Sequence, residues 1–303
     1  MSDLSVIIPT YNRPDNLRGC LRALRESDAG ARAEVIVSDD GGSADLEPLC
    51  REFGARLVRG PNQGPATARN RGAAVASGYV FVFLDDDCQV ELECLSQLQE
   101  AVAGEEQGVI GGHCVNGLPR NPFSEVSQRI TNGLIAVTSG TDQPFLPSCL
   151  LALRRSCFEA IGGFDPSFPL AAGEDRAFCR MAIRQARALR QNPEARATHF
   201  HHLGLTNFLR QHYRYGQGAR QLEHAFGPEA LLNRQQRWSF FSHCLAEPTA
   251  QRIVAICLAQ VATRAGYAAA GRAREVSPPP VLGGSGTNPE IKPPDKLREC
   301  ETE

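Results

Sequence analysis

Residues 80–89 read VFVFLDDDCQ. Val80 to Leu84 is an unbroken apolar run with the length and the β-branched and aromatic content of a buried strand. It stops on three adjacent carboxylates, Asp85, Asp86 and Asp87. Three like charges repel and resist desolvation, so they belong at the rim of the core rather than inside it. Alternation along an extended chain sends Asp85 and Asp87 to one side and Asp86 to the other. Two carboxylates on one side, with no lysine near them, suit a hard divalent cation, Mg2+ or Mn2+. A solvated acidic turn is the alternative, and the buried approach of the strand favours the cation.

Upstream of this run the chain alternates strand and helix patterns. Strands are expected over 4–9, 34–38 and 55–59, and helices over 14–25, 43–53 and 64–77. Strands separated by helices of this length imply βαβ units and a mainly parallel α/β sheet with helices on both faces. Ligands of such sheets bind where the strands end. Thr10-Tyr11-Asn12, Asp39-Asp40, Asn62-Gln63-Gly64 and Asp85–Asp87 all fall at those ends. Arg69 and Arg71 lie on a helix whose opening loop faces the same edge, where a guanidinium can hold a phosphate or a base edge.

Downstream, 116–145 is rich in Gly, Pro, Asn and Thr and is expected to be a long loop carrying one helix, of the kind that serves as a lid. A strand follows over 145–153, then helices over 156–161 and 173–186. Glu174 and Asp175 open the second of these, where acidic side chains are also favourable without any function. A strand over 195–200 carries His199, and His201 follows two residues later with its side chain on the same face. Imidazole is a good further ligand for Mn2+ beside carboxylates. The expected organisation is a catalytic domain over 1–204, a C-terminal helical extension over 205–274 and a disordered tail over 275–303. The most apolar stretch, 253–262, would rise only about 15 Å as a helix, half of a hydrocarbon core. It is read as packed on the catalytic domain, with contact at a membrane surface as the alternative.

The 303 residues carry a net charge of −2 and 42% hydrophobic residues, with only two lysines, Lys292 and Lys296. No basic field argues for nucleic acid. The eleven cysteines form no CxxC pair, so they read as reduced thiols rather than a disulfide or zinc framework. No secretory leader pattern opens the chain, and a cytoplasmic location is expected.

In order, VIIPTYN, IVSDDGG, NQGPATARNRG, FVFLDDD, IGGFDPSF, GEDRAF and THFHH resemble the family 2 glycosyltransferases of the GT-A fold, over about residues 4–220. The resemblance implies an inverting transfer of sugar from a nucleotide-diphospho-sugar, by default a UDP-sugar, to a hydroxyl of a sugar or lipid-linked acceptor. It implies donor contacts from Thr10, Tyr11, Asp39, Arg69, Asp85 and Asp86. It further implies a metal held by Asp85, Asp87 and His199 or His201, and Asp175 as base beside Glu174. Two departures stand out: Gly42 intervenes before Ser43, where the family reads DDGS, and Cys149 and Leu150 replace an asparagine before ALRR. A nucleotidyltransferase is the competing enzyme class, but its phosphate loop needs a lysine and none precedes Lys292. A non-catalytic nucleotide-sugar-binding subunit is the third reading. Arginines at 180, 184, 187, 190, 210, 214 and 220 are read as a solvated helical face, with attraction to an anionic lipid as the alternative.

Overall fold

The structure is a computed structural model that describes residues 3–105, 107–247 and 249–274. The tail expected over 275–303 lies outside the described residues. The apolar run before the three aspartates is a strand, β4 (Val80–Leu84), in an eight-stranded sheet. Before it come β1 (Leu4–Thr10), β2 (Glu34–Asp39) and β3 (Arg56–Arg59). These four run parallel, in the order β3-β2-β1-β4. They are joined through α1 (Pro14–Glu26), α2 (Glu47–Phe53) and α3 (Pro65–Val75). Each of these helices has a proline in its first turn, where a missing N–H costs nothing.

Beyond β4 the chain departs from the expected alternation. A short β5 (Cys88–Val90), α4 (Cys94–Gly104) and β6 (Val109–Asn116) occupy a stretch in which no element was read from the sequence. β7 (Leu150–Arg154) lies antiparallel to both β4 and β6. β8 (Leu189–His199) runs parallel to β6 and antiparallel to β5. The sheet is therefore mixed and mostly parallel, in the order β3-β2-β1-β4-β7-β6-β8-β5. The segment expected to be a lid contains a 17-residue helix, α5 (Pro122–Thr138). Asn121 caps it, and Val126 and Ile135 are buried. One helix was expected in this segment; its apolar stripe is diluted by Ser, Asn and Gly, so the sequence did not show its bounds or its length.

Strand alternation sorts the core. Val82 and Leu84 face α1 and α4, against Leu17, Leu21, Leu95 and Leu98. Phe81 and Phe83 face the other way, toward α3, α6 (Arg155–Ile161) and α7 (Glu174–Arg184). There Phe83 packs edge-on against Phe164, with ring centroids 5.0 Å apart. Burial of each such side chain stabilises the fold by about 1.5–3 kcal/mol. A second layer is helical: α8 (Leu205–Phe226), α9 (Arg234–Cys244) and α10 (Ala250–Arg274) pack with α5 around Phe208, Phe240 and Ile256.

Candidate active site at the strand ends

Asp85, Asp86 and Asp87 lie in the turn between β4 and β5, not within a strand, so simple alternation does not dispose them. Each takes its own direction. Asp85 Oδ1 accepts from Arg69 on α3 at 2.7 Å. Asp86 is fully buried; Oδ2 accepts from the Thr10 hydroxyl at 2.6 Å and Oδ1 lies 2.7 Å from Arg13. Asp87 meets Arg13 at 2.8 Å through Oδ2 and His199 Nε2 at 3.1 Å through Oδ1. Two arginines, rather than solvent, thus compensate the three carboxylates. Arg13 was not singled out from the sequence, although its place directly after Thr10-Tyr11-Asn12 was the available signal.

Asp87 meets His199 because of strand register. β5 pairs Cys88 with His199, and the Phe200 N–H donates to the Asp87 carbonyl at 2.8 Å. Nδ1 of His199 lies 2.9 Å from Gln128 Oε1 on α5. An amide oxygen only accepts, so Nδ1 donates and Nε2 is the atom turned toward Asp87. His201 stacks on His199 with centroids 5.1 Å apart. Burial disfavours the charged form of both rings. For His199 the Asp87 carboxylate outweighs burial and raises the pKa to about 9; His201 falls to about 4. Burial also pushes up Asp86, while for Asp87 the His199 imidazole and Arg13 reverse that push and hold it well below the usual carboxylate range.

These residues fit a hard cation. Adjacent ligands of an octahedral ion at about 2.1 Å stand about 3 Å apart, and Asp87 Oδ1 and His199 Nε2 are 3.1 Å apart. Asp87 Oδ1 is buried without a hydrogen bond of good geometry, so this pairing is close in distance but poorly directed. Asp87 and His199 are thereby the residues best placed to share an ion, with Asp85 at the edge of the same turn.

Across Arg69 lies the second acidic pair. Glu174 Oε1 is 3.2 Å from the Arg69 guanidinium, which joins it to Asp85. Gly173, at φ 93°, turns the chain into α7, a conformation glycine adopts without strain. Glu174 is buried and Asp175 half-buried, with Oδ1 accepting from the Arg176 N–H at 2.7 Å. Burial raises the proton affinity of both carboxyls, and their mutual repulsion adds to it for Glu174.

The first two strand ends form the rest of the mouth. Asp39 Oδ1 accepts from the Gly42 N–H at 2.9 Å, and Asn12 Oδ1 accepts from Ser43 N–H at 2.7 Å. The inserted glycine is therefore absorbed in a loop pinned from both sides. Tyr11 is exposed beside it. Three expected donor contacts are placed differently. Asp86 and the Thr10 hydroxyl are bonded to each other in the interior, since a buried carboxylate needs its partners. Arg69 is 3% exposed and committed to two acids. Arg71 instead reaches this loop, donating to the Asp39 carbonyl at 3.2 Å. The expected solvated arginine face also fails at Arg180, which is buried.

A mixed α/β sheet with an acid–histidine cluster where its parallel strands end defines a GT-A-type fold, and known proteins agree. The glycosyl transferase family 2 model matches residues 5–162, and the chain belongs to that family. It is 31% identical over 178 residues to the glycosyltransferase AglE of Haloferax volcanii, covering 56% of this chain and 58% of that one. It is 31% identical over 140 residues to a dolichol-phosphate mannosyltransferase of Pyrococcus furiosus, covering 44% of this chain and 40% of that one. The chain thus spans about half the length of these curated relatives. Among solved structures, a mannosyltransferase of Pyrobaculum calidifontis in complex with GDP-Man and Mn2+ shares the fold. Its TM-score is 0.60 at 19% identity, covering 91% of this chain and 87% of that one.

Proposed function

We propose that this chain transfers a sugar from a nucleotide-diphospho-sugar to a hydroxyl acceptor, with inversion at the anomeric carbon. The observation that carries the reading is one connected constellation: Asp87 against His199, and Asp85 tied through Arg69 to the Glu174-Asp175 pair. Asp85, Asp87 and His199 would hold Mn2+ or Mg2+, which when bound supplies positive charge to a departing diphosphate. Gln128 fixes the His199 ring so that Nε2 faces the site. Arg69 holds Asp85 and Glu174 apart and screens their repulsion. Asp175, half-buried with raised proton affinity, takes the proton of the acceptor hydroxyl as that oxygen attacks. A single displacement needs no protein nucleophile, and none is invoked. Tyr11, Asp39 and the loop after β2 are proposed to receive the base, with uridine as the first candidate. The relative acting on dolichol phosphate supports a lipid-linked acceptor.

The test is nucleoside-diphosphate release from a panel of nucleotide-sugars with Mn2+. Release that depends on the ion, and is lost in Asp87→Ala, is the expected result. Pyrophosphate release from a nucleoside triphosphate and a sugar phosphate would instead mark a nucleotidyltransferase, and sugar-nucleotide binding without turnover a non-catalytic subunit.

Contact with the cytoplasmic face of a membrane is part of the proposal, and α10 supports it. The apolar stretch over 253–262 is by itself too short to span a bilayer. The helix is longer, and 250–271 is long and apolar enough to cross one by length and composition, with 28% of its most apolar window buried. Ala255, Ile256 and Ala259 pack inward while Ile253, Val254 and Val261 are exposed, as is Trp238 on α9. An exposed apolar stripe on α10, with an exposed tryptophan in the same helical layer, matches a helix lying in a lipid interface. The free state of every described cysteine supports a reducing compartment.

A further inference from the structure

Three cysteines far apart in sequence converge beneath the mouth. Cys88 opens β5, Cys114 lies in β6 and Cys149 directly precedes β7. Their Sγ atoms all lie within 4.8 Å of one another, and those of Cys114 and Cys149 are 3.6 Å apart. They are 0%, 4% and 9% exposed, and sugar transfer uses none of them. A buried cysteine is usually a small hydrophobe, and Cys20, Cys50, Cys94, Cys157, Cys179 and Cys244 are buried too. Among the described residues, only the first three bring their sulfurs together as a triangle that one ion could touch.

Spacing separates two fates for such a cluster. A disulfide needs its sulfurs at about 2.05 Å, roughly 1.5 Å closer than Cys114 and Cys149 stand. Thiolates that share one ion at about 2.3 Å each are about 3.8 Å apart at tetrahedral angles and about 4 Å apart at trigonal ones. The cluster therefore stands near ligand spacing, not bond spacing. Thiolates select soft cations over the Mg2+ or Mn2+ that carboxylates prefer, and three sulfurs favour a low coordination number. We propose that Cys88, Cys114 and Cys149 form a second metal site, a three-thiolate site for a soft cation of the Cu(I) or Cd2+ class, adjoining the carboxylate–histidine mouth through Cys88, whose Sγ also lies within 4.8 Å of ligand atoms of Asp87 and His199. Each thiol that ligates gives its proton to solvent. Entry is through Cys149, the most exposed of the three.

The site is mechanically joined to the mouth. The Asp85 N–H donates to the Cys149 carbonyl at 3.2 Å, and the Cys88 N–H donates to the Asp85 carbonyl at 3.0 Å. Cys88 also pairs with His199 across the β5–β8 ladder. Drawing the sulfurs onto an ion moves the backbone that aims Asp85 and Asp87, so occupancy inhibits transfer. That consequence rests on the transferase reading; binding does not.

The test uses the full-length reduced chain carrying Cys257→Ser and Cys300→Ser, which remove the exposed thiol among the described residues and the one that lies outside them, in excess Mg2+ to fill the mouth. Titration with Cd2+ should give sulfur-to-metal charge-transfer absorption that saturates at one ion per chain. The cadmium NMR shift should report three sulfur ligands. Cys114→Ser should abolish that absorption, keep nucleoside-diphosphate release in Mg2+ buffer free of Cd2+, and make that release resistant to Cd2+. Absence of the absorption, or its persistence unchanged in both Cys114→Ser and Cys149→Ala, overturns the proposal. If those variants fail to fold, a shift showing fewer than three sulfurs in the parent chain overturns it on its own. A saturating three-sulfur signal from a chain that releases no nucleotide from any donor upholds this site and removes the transferase reading.

Discussion

Asp175 and Asp87 are both acidic, yet their surroundings push them apart: burial raises the first, while His199 and Arg13 hold the second down. Their substitutions should separate accordingly. Asp175→Asn is expected to leave ion-dependent donor binding intact and to lower turnover by about 10²–10⁴-fold, read by calorimetry and steady-state kinetics on one preparation. Full transfer activity in that variant would exclude Asp175 as base. A base acts when deprotonated, so a raised proton affinity moves the acid limb of kcat above the usual carboxylate range, with activity rising as pH rises through it. Asp175→Asn should abolish that limb. Arg13→Ala leaves the buried Asp86 without its cation. The expected cost is on the order of 2 kcal/mol in chemical denaturation, below that of a fully buried pair because Arg13 is half exposed and screened.

At the scale of elements, α8 and α10 meet through a pair of notches. A Cβ at Gly216 would stand 1.9 Å from the Thr263 carbonyl oxygen, and one at Gly266 equally close to that of Tyr213. The two backbones approach this closely only because both positions lack a side chain. Gly216→Ala should therefore destabilise the chain by about 1–3 kcal/mol and expose α10 to limited proteolysis before the sheet. On the same helix, His212 is buried with Nε2 unpartnered, and burial lowers its pKa from 6.5 to about 4. Below 6.5 the unfolded chain binds the proton and the folded chain does not, so this histidine's contribution is present above 6.5 and lost as pH falls toward 4. The loss approaches about 3 kcal/mol, and His212→Phe should flatten the difference in unfolding free energy between pH 7 and pH 4. The β5–β8 ladder works at this scale too: it is three residues long on the β5 side, yet it brings Asp87 to His199.

Across the whole molecule, the sheet divides the labour. Its parallel half ends in the loops around Asp39 and Asp85, while its mixed half carries His199 and the thiol cluster. The helical layer of α5 and α8–α10 covers one end and presents Ile253, Val254 and Val261 outward. Flotation with anionic liposomes should carry the intact chain at low salt. Trp238→Ala combined with Val261→Asp should weaken this without altering transfer to a soluble acceptor. A chain that never floats, at any salt, would rule out lipid contact. The parallel strands and the positions of Asp85, Asp87, His199, Glu174 and Asp175 were legible in the chain itself. Apolar period and strand-end chemistry are local, and each is written within a few residues. Elements over 88–116 were not legible, because β5 is too short to show a period and Gly111-Gly112 interrupt β6. One helix was expected within 116–145, but the bounds of α5 were blurred by the polar residues along its apolar stripe.

The sequence by itself determined the α/β class, the acidic rim and the ordered motifs that place the chain among its relatives, since these follow from patterns carried by consecutive residues. Only the tertiary structure decided that Arg13 closes on Asp86 and Asp87, that Arg69 faces two acids, and that Cys88, Cys114 and Cys149 meet. Those contacts depend on strand order and register, which are set by how the sheet packs as a whole and leave no mark on the neighbours of any one residue.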